Sequence, residues 1–145
     1  MNALTRAVFY GVLGWSTDFA FNQLLARRRG QQMLEIRTSA WNIPLYALIQ
    51  PLYEPLHDVL RRRPWPLRAS AYGAGFIVVE YTAGRVLRRA RGEAPWDYSH
   101  ARFQLHGVTR FDYFPLWAVY GLALERVHDC LARAGLRRRS PGQVG

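Results

Sequence analysis

Four acids recur inside apolar stretches of this chain: Asp18, Glu54, Glu80 and Glu125. Two of them are followed by histidine and aspartate, as Glu54-x-x-His57-Asp58 and Glu125-x-x-His128-Asp129. Glu and His three residues apart share one face of a helix. Carboxylates and imidazoles so placed can exchange protons, hold a cation or ligate a metal. An ionised carboxylate in hydrocarbon costs ~2.5–3.5 kcal/mol by insertion scales. The four acids must therefore face inward, where they pair, stay protonated or meet water. Two uses are open. They hydrogen-bond to Tyr, Asn or Arg and lock helices together, or they line a path for an ion, a proton or a polar substrate. Gln50 joins them as the depth match for Asp18 on the neighbouring segment. His57, Asp58, His128 and Asp129 lie nearer the Arg-rich ends, as Arg-paired helix termini or as a pH-responsive gate.

The same order of acids and Glu-x-x-His pairs occurs in di-iron carboxylate bundles. Depth argues against a metal here. Asp18 lies 12 residues past Arg6, ~18 Å along a helix, and Glu54 seven residues before Arg61, ~10 Å from the same side. Ligands must converge to ~2.0–2.5 Å of an ion, so no metal and no other cofactor is expected. The chain has no Lys, which removes Schiff-base and phosphate-loop chemistry. Asp97, Ser99 and His100 are too close in sequence to converge as a triad. An enzyme is not expected.

The elements that position these residues follow from composition. Of 145 residues, 50% are hydrophobic and 21% charged, with a net charge of +10 carried by 20 Arg. The Arg bracket apolar segments instead of covering one face, so nucleic acid is not the expected partner. A single Cys excludes a disulfide framework within the chain. Apolar stretches cover residues 7–25, 39–60, 69–87 and 111–131, and ~20 helical residues cross ~30 Å of hydrocarbon. In the first stretch the apolar positions surround the helix, and Ala71–Val79 in the third has no polar face to give to water. Arg27-Arg28-Arg29 and Arg61-Arg62-Arg63 end spans, and Trp41, Trp65 and Trp96 lie beside boundaries, where indoles favour the headgroup layer. The expectation is an all-α integral membrane four-helix bundle, one transmembrane domain over 1–145, multi-pass in the cell membrane with the lipid bilayer as first partner. Nine Arg on one side against ten on the other leave its orientation undecided.

An internal duplication is visible. At an offset of 71 residues Pro44-Leu45-Tyr46-Ala47 matches Pro115-Leu116-Trp117-Ala118, and Glu54, His57 and Asp58 match Glu125, His128 and Asp129. At an offset of 62, Tyr10-Gly11 meets Tyr72-Gly73 and Asp18-Phe19 meets Glu80-Tyr81. This predicts two parallel helical-hairpin repeats, residues 1–63 and 64–133, with a polar tail over 134–145; two spans per unit return the chain to its starting side. Pro44, Pro51 and Pro55 make the second span a candidate for a kinked or discontinuous, site-forming helix. Ala69/Gly73 and Ala71/Gly75 permit close packing, within the chain or against a second copy, so a homodimer is one expectation. The connection Arg88–Arg110 holds Pro95-Trp96-Asp97-Tyr98-Ser99, an aromatic-anchored turn or a lid, in which Asp97 or Ser99 could cap a short interfacial helix.

Glu80-Tyr81-x-x-Gly84, Pro95-Trp96-Asp97-Tyr98-Ser99 and Asp112-Tyr113-x-Pro115-Leu116-Trp117 resemble the family named Putative ABC-transporter type IV, also called CmpB-like. The animal transmembrane protein 229 group looks similar. The resemblance implies a multi-span membrane protein. With no Gly-x4-Gly-Lys-Ser/Thr, this chain would be a membrane subunit whose ATP-hydrolysing partner is separate. The expected function is a transporter or permease-like component whose acidic core binds a cation or relays protons. The alternative is a non-transporting membrane scaffold or interaction protein whose acids are structural.

Overall fold

Asn2 opens the first helix, α1 (Ala3–Arg28), because its Oδ1 accepts both the backbone N–H and the hydroxyl of Thr5, at 2.8 and 2.7 Å. The computed structural model describes residues 2–28 and 42–139. The second helical pass carries the crowded prolines and is irregular: α2 (Asn42–Ala47), a π turn over Ile49–Tyr53, then α3 (Glu54–Leu60). Pro51 and Pro55 lack the N–H that an unbroken ladder needs. The Glu54 N–H instead reaches back five residues to the Ile49 carbonyl. The pass shifts register without breaking. One extra residue rotates the succeeding turns by ~100°, so Tyr46, Ile49 and Tyr53 before the shift and Glu54 and His57 after it are all buried.

Pro66 sits in the first turn of α4 (Trp65–Arg91), where a missing N–H costs nothing. Gly92 at φ 81° ends that helix in the left-handed region, with Arg88, Arg89 and Arg91 near its negative pole. Next comes a short antiparallel ribbon, β1 (Gln104–Leu105) and β2 (Thr109–Arg110), in the register Gln104–Arg110 and Leu105–Thr109. His106 and Gly107 turn it at φ 54° and 67°, the positive angles that a tight hairpin turn requires. A 3₁₀ turn, Phe111–Tyr113, leads into α5 (Phe114–Arg139). Residues 94–103 form no helix, so Asp97 and Ser99 cap none; they fold the connection back on α4 instead.

Helix α1 packs on α2 and the π turn, and α4 packs on α5. Both contacts depend on a glycine. A Cβ at Gly11 would lie 2.8 Å from the Ile43 carbonyl, and one at Gly73 3.2 Å from the Phe114 carbonyl. The small residues of α4 are thus used inside the chain: Gly73 meets α5, while Gly75 has nothing within 4 Å of its missing Cβ and lines a cavity. Tyr10, Tyr46, Ile49, Tyr53, Tyr72 and Leu124 form the core. Leu4, Val8, Val12, Val59, Val78 and Val119 are exposed.

The helices overrun the expected spans. Arg27 and Arg28 are the last two residues of α1 and Arg61 caps the end of α3, whereas α5 continues to Arg139, into the expected polar tail. Residues 39–41, which include Trp41, fall outside the described residues, as do Arg29, Arg37 and 140–145. Among the described residues, no helix is long and apolar enough to cross a membrane. Length is not what falls short, since α1, α4 and α5 have 26, 27 and 26 residues; the polar residues within them lower the mean hydropathy.

Candidate functional site

The four acids divide into two pairs with different partners. Glu54, on the first turn of α3, and Glu125, midway along α5, lie in one cluster with both Glu-x-x-His histidines. The histidines are exchanged. His128 Nδ1 stands 3.5 Å from Glu54 Oε1 and its Nε2 3.8 Å from Asp58. His57 Nδ1 stands 3.7 Å from Glu125 Oε1 and its Nε2 3.9 Å from Asp129. The two imidazoles meet edge to face at 5.1 Å. Each glutamate also holds an arginine: Arg6 reaches Glu54 at 3.1 Å, and Arg68 grips Glu125 at two points, 2.8 and 3.1 Å. Of the two Arg68 contacts the one at 3.1 Å is a charge-assisted hydrogen bond, which is among the strong kinds. Arg6 and Arg68 are 62 residues apart, like Tyr10 and Tyr72, which lie against Glu54 and Glu125 respectively. The contacts therefore recur at the two offsets seen in the sequence.

Tyr72 connects the cluster. Its hydroxyl donates to Glu125 Oε1 at 2.9 Å and lies 2.9 Å from His57 Nδ1. A phenol has one proton, so His57 Nδ1 must donate to the Tyr72 oxygen. In the neutral ring His57 Nε2 is then the acceptor nitrogen, and it faces the Asp129 carboxyl. His57 is only 3% exposed, deeper than a helix end beside the Arg cluster would be. Asp58 and Asp129 do meet Arg61, at 4.0 and 3.2 Å. Tyr53 adds a cross-link by donating to the Gly121 carbonyl at 2.6 Å.

Asp18 and Glu80 lie elsewhere, on the wall of a cavity of about 450 Å³. Asp18 Oδ2 accepts from the Asn42 amide at 3.0 Å. The expected partner Gln50 bonds Glu54 instead, at 3.2 Å, because the π turn carries it toward the other cluster. Glu80 accepts from the Thr109 hydroxyl at 2.5 Å and from the Tyr98 hydroxyl at 3.1 Å. Among the described residues no ion pair closes on Asp18 or Glu80. The aromatic side chains of Tyr46, Trp96, Tyr98, Tyr113 and Trp117 line the same space.

The Pro95–Ser99 motif closes one end of this cavity. Trp96 Nε1 donates to the Val108 carbonyl at 2.7 Å, and the Tyr98 N–H to the Gly107 carbonyl at 2.9 Å. Gly84 is where the loop approaches α4, since a Cβ there would lie 2.7 Å from Val108. Asp97 accepts from both the backbone and the hydroxyl of Ser99, which holds its carboxyl below the usual carboxylate range. No histidine stands between Ser99 and Asp97.

The family described as Putative ABC-transporter type IV matches residues 7–142. The chain belongs to this family. No solved structure matches the chain. Of the motifs that carried the resemblance, Glu80, Trp96, Tyr98, Tyr113 and Trp117 meet around the cavity. The residues that carried the resemblance therefore gather at the Asp18–Glu80 site, apart from the histidine cluster.

Several participants carried no sequence signal of their own role. Arg6 and Arg68 read as flanking charges and Tyr10 and Tyr72 as markers of duplication; their common offset of 62 was the available clue. Thr109 and Asn42 had none.

Proposed function

We propose that this protein is a multi-pass membrane component of a transport system, without an enzymatic reaction of its own, built from two parallel hairpin repeats and working with a separate ATP-hydrolysing partner. The observation that carries the reading is the division of polarity. Glu54, His57 and Glu80 are 5, 3 and 8% exposed, while valines and leucines of every pass face outward, as a lipid solvent demands. Part of the low hydropathy of the helices has the same origin, because Glu54, His57 and Glu80 are turned inward, while Arg27, Arg89, Arg91 and Arg126 are exposed. At ~1.5 Å per residue, helices of this length run ~39 Å, more than ~30 Å of hydrocarbon. The recurrence of Arg–Glu, Tyr–Glu and His–Glu contacts at constant offsets supports the repeat.

In this reading the histidine cluster relays protons. Four carboxyl groups, those of Glu54, Asp58, Glu125 and Asp129, share three arginines, Arg6, Arg61 and Arg68, and two imidazoles. A proton arriving by way of Asp129 adds to His57 Nε2, the Nδ1 proton passes to the Tyr72 oxygen, and the Tyr72 proton passes to Glu125. Neutral Glu125 no longer holds Arg68, which couples the relay to helix position. The arginines occupy the place a bound cation would take, so proton exchange suits this cluster better than cation binding. Purified protein reconstituted in vesicles tests it. Glu54→Gln and Glu125→Gln are expected to abolish pH-driven proton flux while keeping helical content. Unchanged flux in the double variant sinks the relay.

A second reading has its own observation: Tyr53, His57, Arg61 and His128 all bridge the two hairpins. A scaffold would need them only as a latch. It predicts intact partner binding and no proton flux in the wild-type chain.

A further inference from the structure

We propose that the Asp18–Glu80 cavity is a binding site for a small alkylammonium group. The inference rests on the transport reading only for the membrane setting. About 450 Å³ falls within the size of small-molecule sites, which are mostly apolar with a few placed polar groups. This one has the composition of a cation cage. Asp18 and Glu80 supply negative charge, answered among the described residues by amide and hydroxyl donors instead of an ion pair. Tyr46, Trp96, Tyr98 and Trp117 supply aromatic faces, which attract cations that have little hydration to lose. Glu54 and Glu125 make the contrast, since each already holds an arginine.

The cavity shows in its own wall that it accepts such a group. The Arg110 guanidinium lies 4.2 Å from the Tyr113 ring centre and 5.8 Å from that of Tyr98. Its charge is taken by Asp112 through two contacts, at 2.8 and 2.5 Å. Besides its tyrosines, the other titratable groups on the wall are Asp97, which Ser99 engages, and His100. With Arg110 engaged by Asp112, the wall offers an incoming cation the carboxyl groups of Asp18 and Glu80. Gly75 keeps one side of it open, because a side chain there would project into empty space.

An alkylammonium group comes either from a free solute or from a lipid headgroup, and the test separates the two. Purified full-length protein in a maltoside detergent is titrated with choline, with its neutral isostere 3,3-dimethylbutan-1-ol, and with a short-chain phosphatidylcholine, monitored by tryptophan fluorescence. Saturable binding of choline, at least about tenfold tighter than the isostere, establishes a free-solute site. Saturable binding of the phospholipid alone establishes a headgroup site. In either case Asp18→Asn and Glu80→Gln weaken binding about tenfold or more. Glu80→Gln keeps an acceptor for Tyr98 and Thr109, and circular dichroism checks that it folds. Equal binding of choline and the isostere, no binding of either ammonium probe, or full affinity in a folded Glu80→Gln variant overturns the proposal. Binding without any proton flux in vesicles leaves the site standing and defeats the relay; flux without ammonium binding does the reverse.

Discussion

Arginine is the residue that separates the two acid pairs, and its removal has unequal consequences by position. Arg68 shields a Glu125 whose side chain is 13% exposed. Arg68→Met leaves that carboxylate without its cation and is expected to cost about 3–5 kcal/mol, as breaking a buried pair does, seen as a large fall in thermal midpoint in detergent. Arg61 is half exposed in its pair with Asp129, so Arg61→Gln is expected to cost under about 1 kcal/mol. Equal losses in the two variants would show that burial is not what gives the Arg68 contact its strength. Tyr72→Phe removes one hydroxyl from between His57 and Glu125. It should lower stability by about 1–3 kcal/mol and shift the pH profile of proton uptake, an effect that a purely structural tyrosine would not produce. Glu54, His57, Glu125 and His128 were recognisable as chemistry-bearing by type and spacing. Their exchange of partners was not, because nothing in a linear spacing says which helix faces which.

Close packing within each hairpin is an element-scale property set by glycine. A Cβ at Gly14 would stand 2.3 Å from the Tyr46 ring, and one at Gly121 2.3 Å from Tyr72 Cβ. Gly14→Ala and Gly121→Ala are each expected to destabilise by about 1–3 kcal/mol through overpacking. Gly75→Ala, which meets nothing, should be neutral or stabilising by up to about 1 kcal/mol from helix propensity. Chemical melts of the three variants would show whether the helices are held as closely as described. The connection between α4 and α5 has its own pH dependence. Asp97 titrates below the usual carboxylate range because Ser99 donates to its charged form. Its contribution to the turn is therefore complete above the ordinary value of about 3.9 and disappears as pH falls through the lowered one. Trp96 fluorescence should report loosening only in that acidic window, and Asp97→Asn should remove the dependence.

At the scale of the whole molecule, Glu54, His57 and Glu80 are buried among tyrosines and aliphatic side chains, while many valines and leucines face outward. A protein so arranged is expected to stay with membranes through alkaline extraction and to need detergent for release. Release by alkali would remove the lipid setting on which the transport reading stands. Cys130, exposed on α5, is the chain's one thiol. Labelling it in sealed vesicles with an impermeant maleimide is expected to succeed from one face only, which supplies the orientation that the Arg balance does not.

Residue order by itself determined the helical class, the inward acids and the paired recurrence of Pro, Glu, His and Asp, because helix periodicity and the cost of burying charge act locally along a chain. It also carried the resemblance to the family, through Glu80, Trp96 and Tyr113 among others. Only the tertiary structure decided that Gln50 turns to Glu54 and leaves Asp18 to Asn42, since a π turn rotates the face by an amount no spacing reveals. It alone divided four similar acids into two with arginine and two with neutral donors, and it brought Thr109 to Glu80 across 29 residues. Partner choice of that kind depends on which surfaces meet after the chain has folded, and a meeting of surfaces is a property of three dimensions.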